Sequence, residues 1–275
     1  MQNQFVRTII LIGQDGWELL QASTVMVFGI GGVGSYVVEA LARAGVGRLI
    51  LVDHDEISLS NLNRQIQALH STVGRAKVEV MKERVLDINP DIQIEAVKAF
   101  YTENEAEEFL NNKLDYVVDA IDTMAGKVSL ARECLQRKIN FIASMGAGNR
   151  LSAANFKIAD ISETRGCPLA KAMRKLLRQQ GINTGIKVLF SPDPVLKPLP
   201  LAENEGQAGE RQLFGDKQFS EDKEPDHSNL TAEERSCGKR PVPGSISYVP
   251  STAGLLIAGE VIRDLLQQKQ HKEDG

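Results

Sequence analysis

Apolar residues recur along this chain with two alternating periods, and the alternation outlines a fold. Residues 24–28 (TVMVF) form a short β-branched apolar run, the mark of a strand buried on both faces. Residues 49–52, 116–120 and 141–144 read the same way, and 92–97 alternates apolar with polar positions. Between these runs the period changes. Val37, Val38 and Leu41 supply one side of a helix over 33–44, and Val78, Met81, Val85 and Ile88 one side of a helix over 75–88. Gly45 and Pro90 stand where those helices must stop. Further helices are expected over 4–20, 103–110, 124–137, 169–179 and 251–266, the last with Pro250 before it, and strands over 156–159 and 187–190.

Strand, helix, strand in regular succession predicts an α/β fold: a Rossmann-like, doubly wound, mainly parallel sheet with flanking helices and a mixed C-terminal part. The organisation expected is a Rossmann-like domain over 1–191, carrying a basic helix at 168–180. A flexible polar loop over 192–242 follows, then a closing helix of the same domain within 243–275. Pro192, Pro194, Pro198 and Pro200 break the chain, and the stretch 202–240 is polar and poor in large apolar residues.

Composition narrows the function classes. With 275 residues, 42% of them hydrophobic, the chain has material for a sizeable core. A net charge of −4 leaves any nucleic-acid surface to a local patch. The 3 cysteines, Cys134, Cys167 and Cys237, are far apart and form no Cys-x-x-Cys pair. That argues against a disulfide framework or zinc knot and fits a reducing cytoplasm. The first residues do not read as a signal peptide, and no apolar run approaches the roughly 20 residues of a membrane span.

The chemistry begins at Gly29-Ile30-Gly31-Gly32-Val33-Gly34, which fits Gly-x-Gly-x-x-Gly between a strand and a helix. Glycines let backbone approach a phosphate, and the helix start offers free N–H groups and a positive dipole end. Asp53 ends the next strand, where a ribose-binding acid belongs. This much does not separate ATP from NAD or FAD. The following segment, Asp53-His54-Asp55 to Asn61-Leu62-Asn63-Arg64-Gln65, does more, because it gathers Asn61, Asn63, Arg64 and Gln65, with Lys77 beyond. Arg and Lys beside a phosphate loop suit a triphosphate whose charge must be neutralised. Asp119-Ala120-Ile121-Asp122 closes another strand, and a carboxylate there suits Mg²⁺ between phosphates.

Gly-x-Gly-Gly-Val-Gly-Ser, Asp-x-Asp, Ser-Asn-Leu-Asn-Arg-Gln, Lys77 and Asp-x-x-Asp together resemble the ubiquitin-activating-enzyme-like superfamily, which adenylates carboxylates. Asn-Arg-Gln-Ile-Gln-Ala, Val-Gly-Arg-Ala-Lys and Asp-Ala-Ile-Asp are similar to its tRNA threonylcarbamoyladenosine dehydratase branch. The likeness runs from about residue 5 to 161 and returns over 250–266. It implies ATP-dependent activation of the carboxylate of threonylcarbamoyladenosine in tRNA, capture of the acyl adenylate within the same side chain, and net loss of water. It also implies roles. Gly29, Gly31, Gly32 and Gly34 form the phosphate loop, Asp53 holds ribose, and Asp55 belongs to the nucleotide set. Asn61, Arg64, Lys77 and Gln65 bind the triphosphate, and Asp122 binds Mg²⁺. Arg7 reaches a neighbouring subunit's ATP, which makes the protein a homodimer. Sulfur-transfer proteins are possible further partners.

Other features stay open. Lys171, Arg174, Lys175 and Arg178 share one helix face, extended by Arg165 and Lys187, and read either as a tRNA phosphate surface or as an ordinary solvated face. Cys167 stands near a helix start but reads better as a buried thiol than as a nucleophile. Three rival functions are an activator of a ubiquitin-like sulfur carrier, an NAD-dependent oxidoreductase and a non-catalytic nucleotide scaffold. The missing zinc cysteines oppose the first, the Asn-Arg-Gln cluster the second, and Arg64, Lys77 and Asp122 together the third.

Overall fold

The computed structural model describes residues 4–111, 113–199 and 243–267. Its strands are β1 (Thr24–Phe28), β2 (Arg48–Val52), β3 (Gln93–Val97), β4 (Tyr116–Asp119), β5 (Asn140–Ser144), β6 (Lys157–Asp160) and β7 (Lys187–Phe190). They form one seven-stranded sheet in the order β3-β2-β1-β4-β5-β7-β6. All neighbours are parallel except β6 and β7, which run antiparallel, so the expected mixed C-terminal part is observed. Val25 pairs with Leu49 on one side and Tyr116 on the other.

The helices are α1 (Val6–Ala22), α2 (Gly34–Ala44), α3 (Lys77–Ile88), α4 (Ala106–Leu110), α5 (Met124–Arg137), α6 (Pro168–Gln179) and α7 (Tyr248–Gln267). Strand periodicity sorts them into two layers. Val25 and Val27 of β1, with Leu49 and Leu51 of β2, face a core shared with α1, α2, α3 and α7. Met26, Phe28, Ile50 and Val52 face the opposite core with α4, α5 and α6. A continuous apolar run is therefore required in the central strands, because both faces are covered. Truncating Phe28, fully buried against Tyr101 and Phe109, costs on the order of 3–5 kcal/mol.

Helix ends follow local chemistry. Gly45 takes φ +93° and closes α2 in the left-handed conformation. Asn89 is extended ahead of Pro90, which ends α3. Pro250 differs from expectation: it lies inside the first turn of α7, where a missing N–H breaks no intrahelical bond. The loop expected over 202–240, with Cys237, lies outside the described residues.

Candidate functional site

In the sheet order, β1 stands between β2 and β4, and the direction of winding reverses there. Crevices at such a point, outside the C-terminal strand ends, are where doubly wound sheets take ligands. The glycine loop leaves β1 at this point, and the turn bearing Asp122 leaves β4 beside it.

Close packing shapes the loop. A Cβ on Gly34 would stand 1.8 Å from the Gly29 carbonyl oxygen, so only glycine lets α2 start there. Gly31 is different: its Cβ would meet only Gln65 Nε2, at 3.9 Å, so the chain's own packing does not demand glycine. That open side is what a phosphate cradle needs. Gly32 faces Pro250 of α7 and the Cγ of Arg64, and Gly254 lies against the Val33 carbonyl, so α7 seats directly on the loop.

Asp53, buried, accepts the Ile30 N–H at 2.6 Å on one oxygen and the Asp55 N–H at 2.9 Å on the other. Each carboxylate oxygen keeps a further lone pair for a ribose hydroxyl. Lys77 is buried and its Nζ sits 2.9 Å from Asp55 Oδ2. Asp55 also faces His54, whose ring packs edge-on to Phe100 at 4.9 Å. Asn61 Oδ1 accepts the Ser58 N–H at 3.1 Å and shapes the short turn at Leu59–Asn61.

Arg64 is half-buried. Its Nη1 donates to the Ser60 carbonyl at 2.7 Å and to Asn63 Oδ1 at 2.8 Å. No carboxylate faces it among the described residues, and burial pulls its pKa down. A desolvated guanidinium without a counter-ion, beside an open glycine loop, is a site for an anion.

Asp122 is exposed and has no hydrogen bond or ion pair among the described residues. A free carboxylate of this kind fits a hard divalent cation. The Asp53, His54 and Asp55 group also brings ligand atoms within 4.8 Å. It fits a cation less well, because Lys77 and backbone N–H groups already occupy its oxygens. The turn to Asp122 rests on a buried pair. Lys127 Nζ lies 3.1 Å from both Asp119 oxygens and donates to the Ser144 carbonyl at 2.8 Å, while Asp119 accepts the Ile121 N–H at 3.1 Å.

The expected basic patch divides. Arg165, Lys171, Lys175 and Arg178 are exposed. Arg174 instead donates to the Ile161 and Thr164 carbonyls, at 3.2 and 3.0 Å, and to the Thr164 hydroxyl. Lys187 pairs with Glu260 at 2.8 Å and Asp264 at 2.7 Å, and Asp264 also accepts the Tyr116 hydroxyl. Both cations are thus engaged within the chain. Arg7 is exposed on α1, whose Val6, Ile10 and Leu11 are exposed as well. Cys167 is buried at the start of α6, and Cys134 is buried in α5.

Sequence reading assigned no role to Gln67, Lys127 or Arg150. Arg150 is buried and ties the turn after β5 to the turn after β7, through Gly146, Ser191 and Asp193. For Lys127, set between buried Gly126 and Val128, a lysine amid residues that must be buried was the available signal.

Fold and site together define a doubly wound α/β protein with, at its switch point, a glycine loop and an arginine that has no carboxylate partner among the described residues. The chain belongs to the ThiF family, whose model matches residues 5–275. The tRNA threonylcarbamoyladenosine dehydratase of Bacillus subtilis is 44% identical to it over 272 residues, 99% of this chain and 98% of that one. The enzyme of that name from Haemophilus influenzae is 42% identical over 188 residues, covering 68% of this chain and 72% of its own. The E. coli tRNA N6-threonylcarbamoyladenosine dehydratase, solved in complex with ATP, superposes with a TM-score of 0.78 at 28% identity, covering 98% of this chain and 96% of that chain.

Proposed function

We propose that this chain is an ATP-dependent dehydratase acting on threonylcarbamoyladenosine in tRNA. The observation that carries the reading is Arg64: a half-buried guanidinium with no carboxylate partner among the described residues, its stem against Gly32 of the glycine loop. Relatives named for this activity that match nearly the whole chain support it, as does an ATP-bound structure of the same fold.

ATP is a substrate in this account. A carboxylate oxygen of the threonylcarbamoyl group attacks the α-phosphorus, and the bond to pyrophosphate breaks. A nucleophile of the same side chain then attacks the activated carbonyl. A ring closes, AMP leaves with one carboxylate oxygen, and the modified nucleoside is short of one water. The glycine loop and the start of α2 receive phosphate oxygens, Arg64 and Lys77 neutralise charge gathering at the α-phosphorus, and Asp53 holds ribose. Lys77 exchanges part of its pairing with Asp55 for the nucleotide. Asp122 would hold Mg²⁺, which when bound would supply charge neutralisation for the phosphates.

The exposed cations Arg165, Lys171, Lys175 and Arg178 hold tRNA phosphates without reading sequence. The exposed apolar residues of α1, with Arg7 among them, are the surface of a homodimer, and the compartment is the cytoplasm. The test is pyrophosphate release from ATP with threonylcarbamoylated tRNA against the same tRNA lacking that group. Release only with the modified tRNA is expected; equal release with both overturns the reading.

A further inference from the structure

One buried polar side chain at the site has no task in the account above. Gln67 is 1% exposed. Its Nε2 donates to the Ile30 carbonyl at 2.6 Å and to Gln65 Oε1 at 3.3 Å. The N–H of the same Ile30 is held by Asp53 at 2.6 Å. Both backbone polar groups at the second position of the glycine loop are therefore clamped, from two different segments, by buried side chains. The Ile30 side chain is itself fully buried, which leaves the residue no freedom to turn.

Gln67 Oε1 is buried and has no partner among the described residues. Exchanging the amide oxygen and nitrogen would set Oε1 against the Ile30 carbonyl, so the donor fixes the orientation. The second hydrogen bond turns Gln65, whose Nε2 is the atom nearest to the open side of Gly31.

We propose that Gln67 is a positioning residue for the phosphate-binding loop, holding Ile30 and Gln65 so that the loop is set before ATP arrives. The inference rests on the ATP reading above. It assigns Gln67 no contact with the nucleotide; it acts through loop geometry, and its effect is confined to ligands that carry phosphates.

The experiment measures affinities for ATP and for adenosine by calorimetry, without tRNA, in the unaltered protein, Gln67→Leu and Gln67→Glu. The expected result is about tenfold weaker ATP binding in Gln67→Leu, the scale of one lost buried hydrogen bond, with adenosine affinity unchanged. Gln67→Glu keeps the shape but loses both N–H donors when ionised, and regains an O–H donor when protonated. Burial beside the Ile30 carbonyl favours the protonated form, so its ATP affinity relative to the unaltered protein is expected to hold while the carboxyl is protonated and to fall as pH rises through its ionisation, whereas that of Gln67→Leu stays weak throughout. Full ATP affinity in Gln67→Leu overturns the proposal, and so does a Gln67→Glu affinity that matches the unaltered protein at every pH up to about 9. So does equal loss of ATP and adenosine, which marks a role in folding alone. Should Gln67→Leu not fold, the pH dependence of Gln67→Glu decides by itself. An unaltered protein that binds neither ligand instead overturns the ATP reading.

Discussion

Replacing Lys127 with Met would remove the ammonium facing a carboxylate that has no exposed surface. The two side chains are 1% and 0% exposed, with Nζ 3.1 Å from each Asp119 oxygen. Met fills the stem's volume, so the cost is electrostatic rather than a cavity. Asp119 would keep the Ile121 N–H as its partner. Breaking a buried pair from one side costs about 3–5 kcal/mol. At roughly 2–4 °C per kcal/mol for domains of 150–250 residues, melting should fall by on the order of 10 °C. Burial pushes the Asp119 carboxyl above its ordinary 3.8, against the pull of Lys127 and the Ile121 N–H. A carboxyl raised in the folded state binds its proton more readily there than in the unfolded chain. Its contribution therefore favours folding at acid pH and is lost as pH rises through the folded pKa. Without Lys127 the rise is larger. The variant's deficit should be greatest near neutrality and should shrink as Asp119 takes up its proton. Thermal melts of both proteins at about pH 7 and about pH 5 test this. The further change Asp119→Asn should restore part of the loss. A variant that melts with the unaltered protein, or whose deficit grows on acidification, refutes the reasoning.

Arg64→Ala should lower kcat/KM by about 10²–10³, the effect of removing one preorganised charge at a transition state, with the melting temperature little changed; full turnover would remove Arg64 from the triphosphate site. Asp122→Asn should raise the Mg²⁺ concentration needed for half-maximal pyrophosphate release, whereas an unchanged Mg²⁺ titration would take the metal away from Asp122. Lys171→Glu with Lys175→Glu should weaken tRNA binding and reduce its salt dependence by about two counterions. Lys187→Met should instead lower stability, because Asp264 keeps the Tyr116 hydroxyl but loses its cation, and leave tRNA affinity intact; the reverse pattern would return Lys187 to the RNA surface.

Much of this fold is written in short-range signals. Val25–Phe28 and Leu49–Val52 are apolar without interruption because both sheet faces are covered, and Gly45 and Pro90 end helices through their own backbone chemistry. The glycine loop, Asp53 and Arg64 were legible because their spacing is local and their chemistry specific. Roles fixed by distant partners were not. Lys187 reads as a continuation of a basic patch until its partner Asp264, 77 residues away, is brought alongside. Gln67 looks like one more polar residue in a polar stretch until its amide is seen on Ile30, 37 residues earlier. Pro250 reads as a barrier before a helix because sequence alone does not tell the first turn from the residue preceding it. Arg7 is exposed on α1, and its expected partner belongs to a second copy of the chain.

The oxygen that leaves the substrate reports the mechanism directly. The carboxylate of threonylcarbamoyladenosine in tRNA would be labelled with a heavy oxygen isotope and turned over with ATP, and the products weighed by mass spectrometry. Activation at the α-phosphorus predicts one labelled oxygen in AMP, unlabelled pyrophosphate, and a nucleoside lighter by one water. Label in inorganic phosphate alongside ADP, or AMP formed without label, would contradict an acyl adenylate made at the glycine loop.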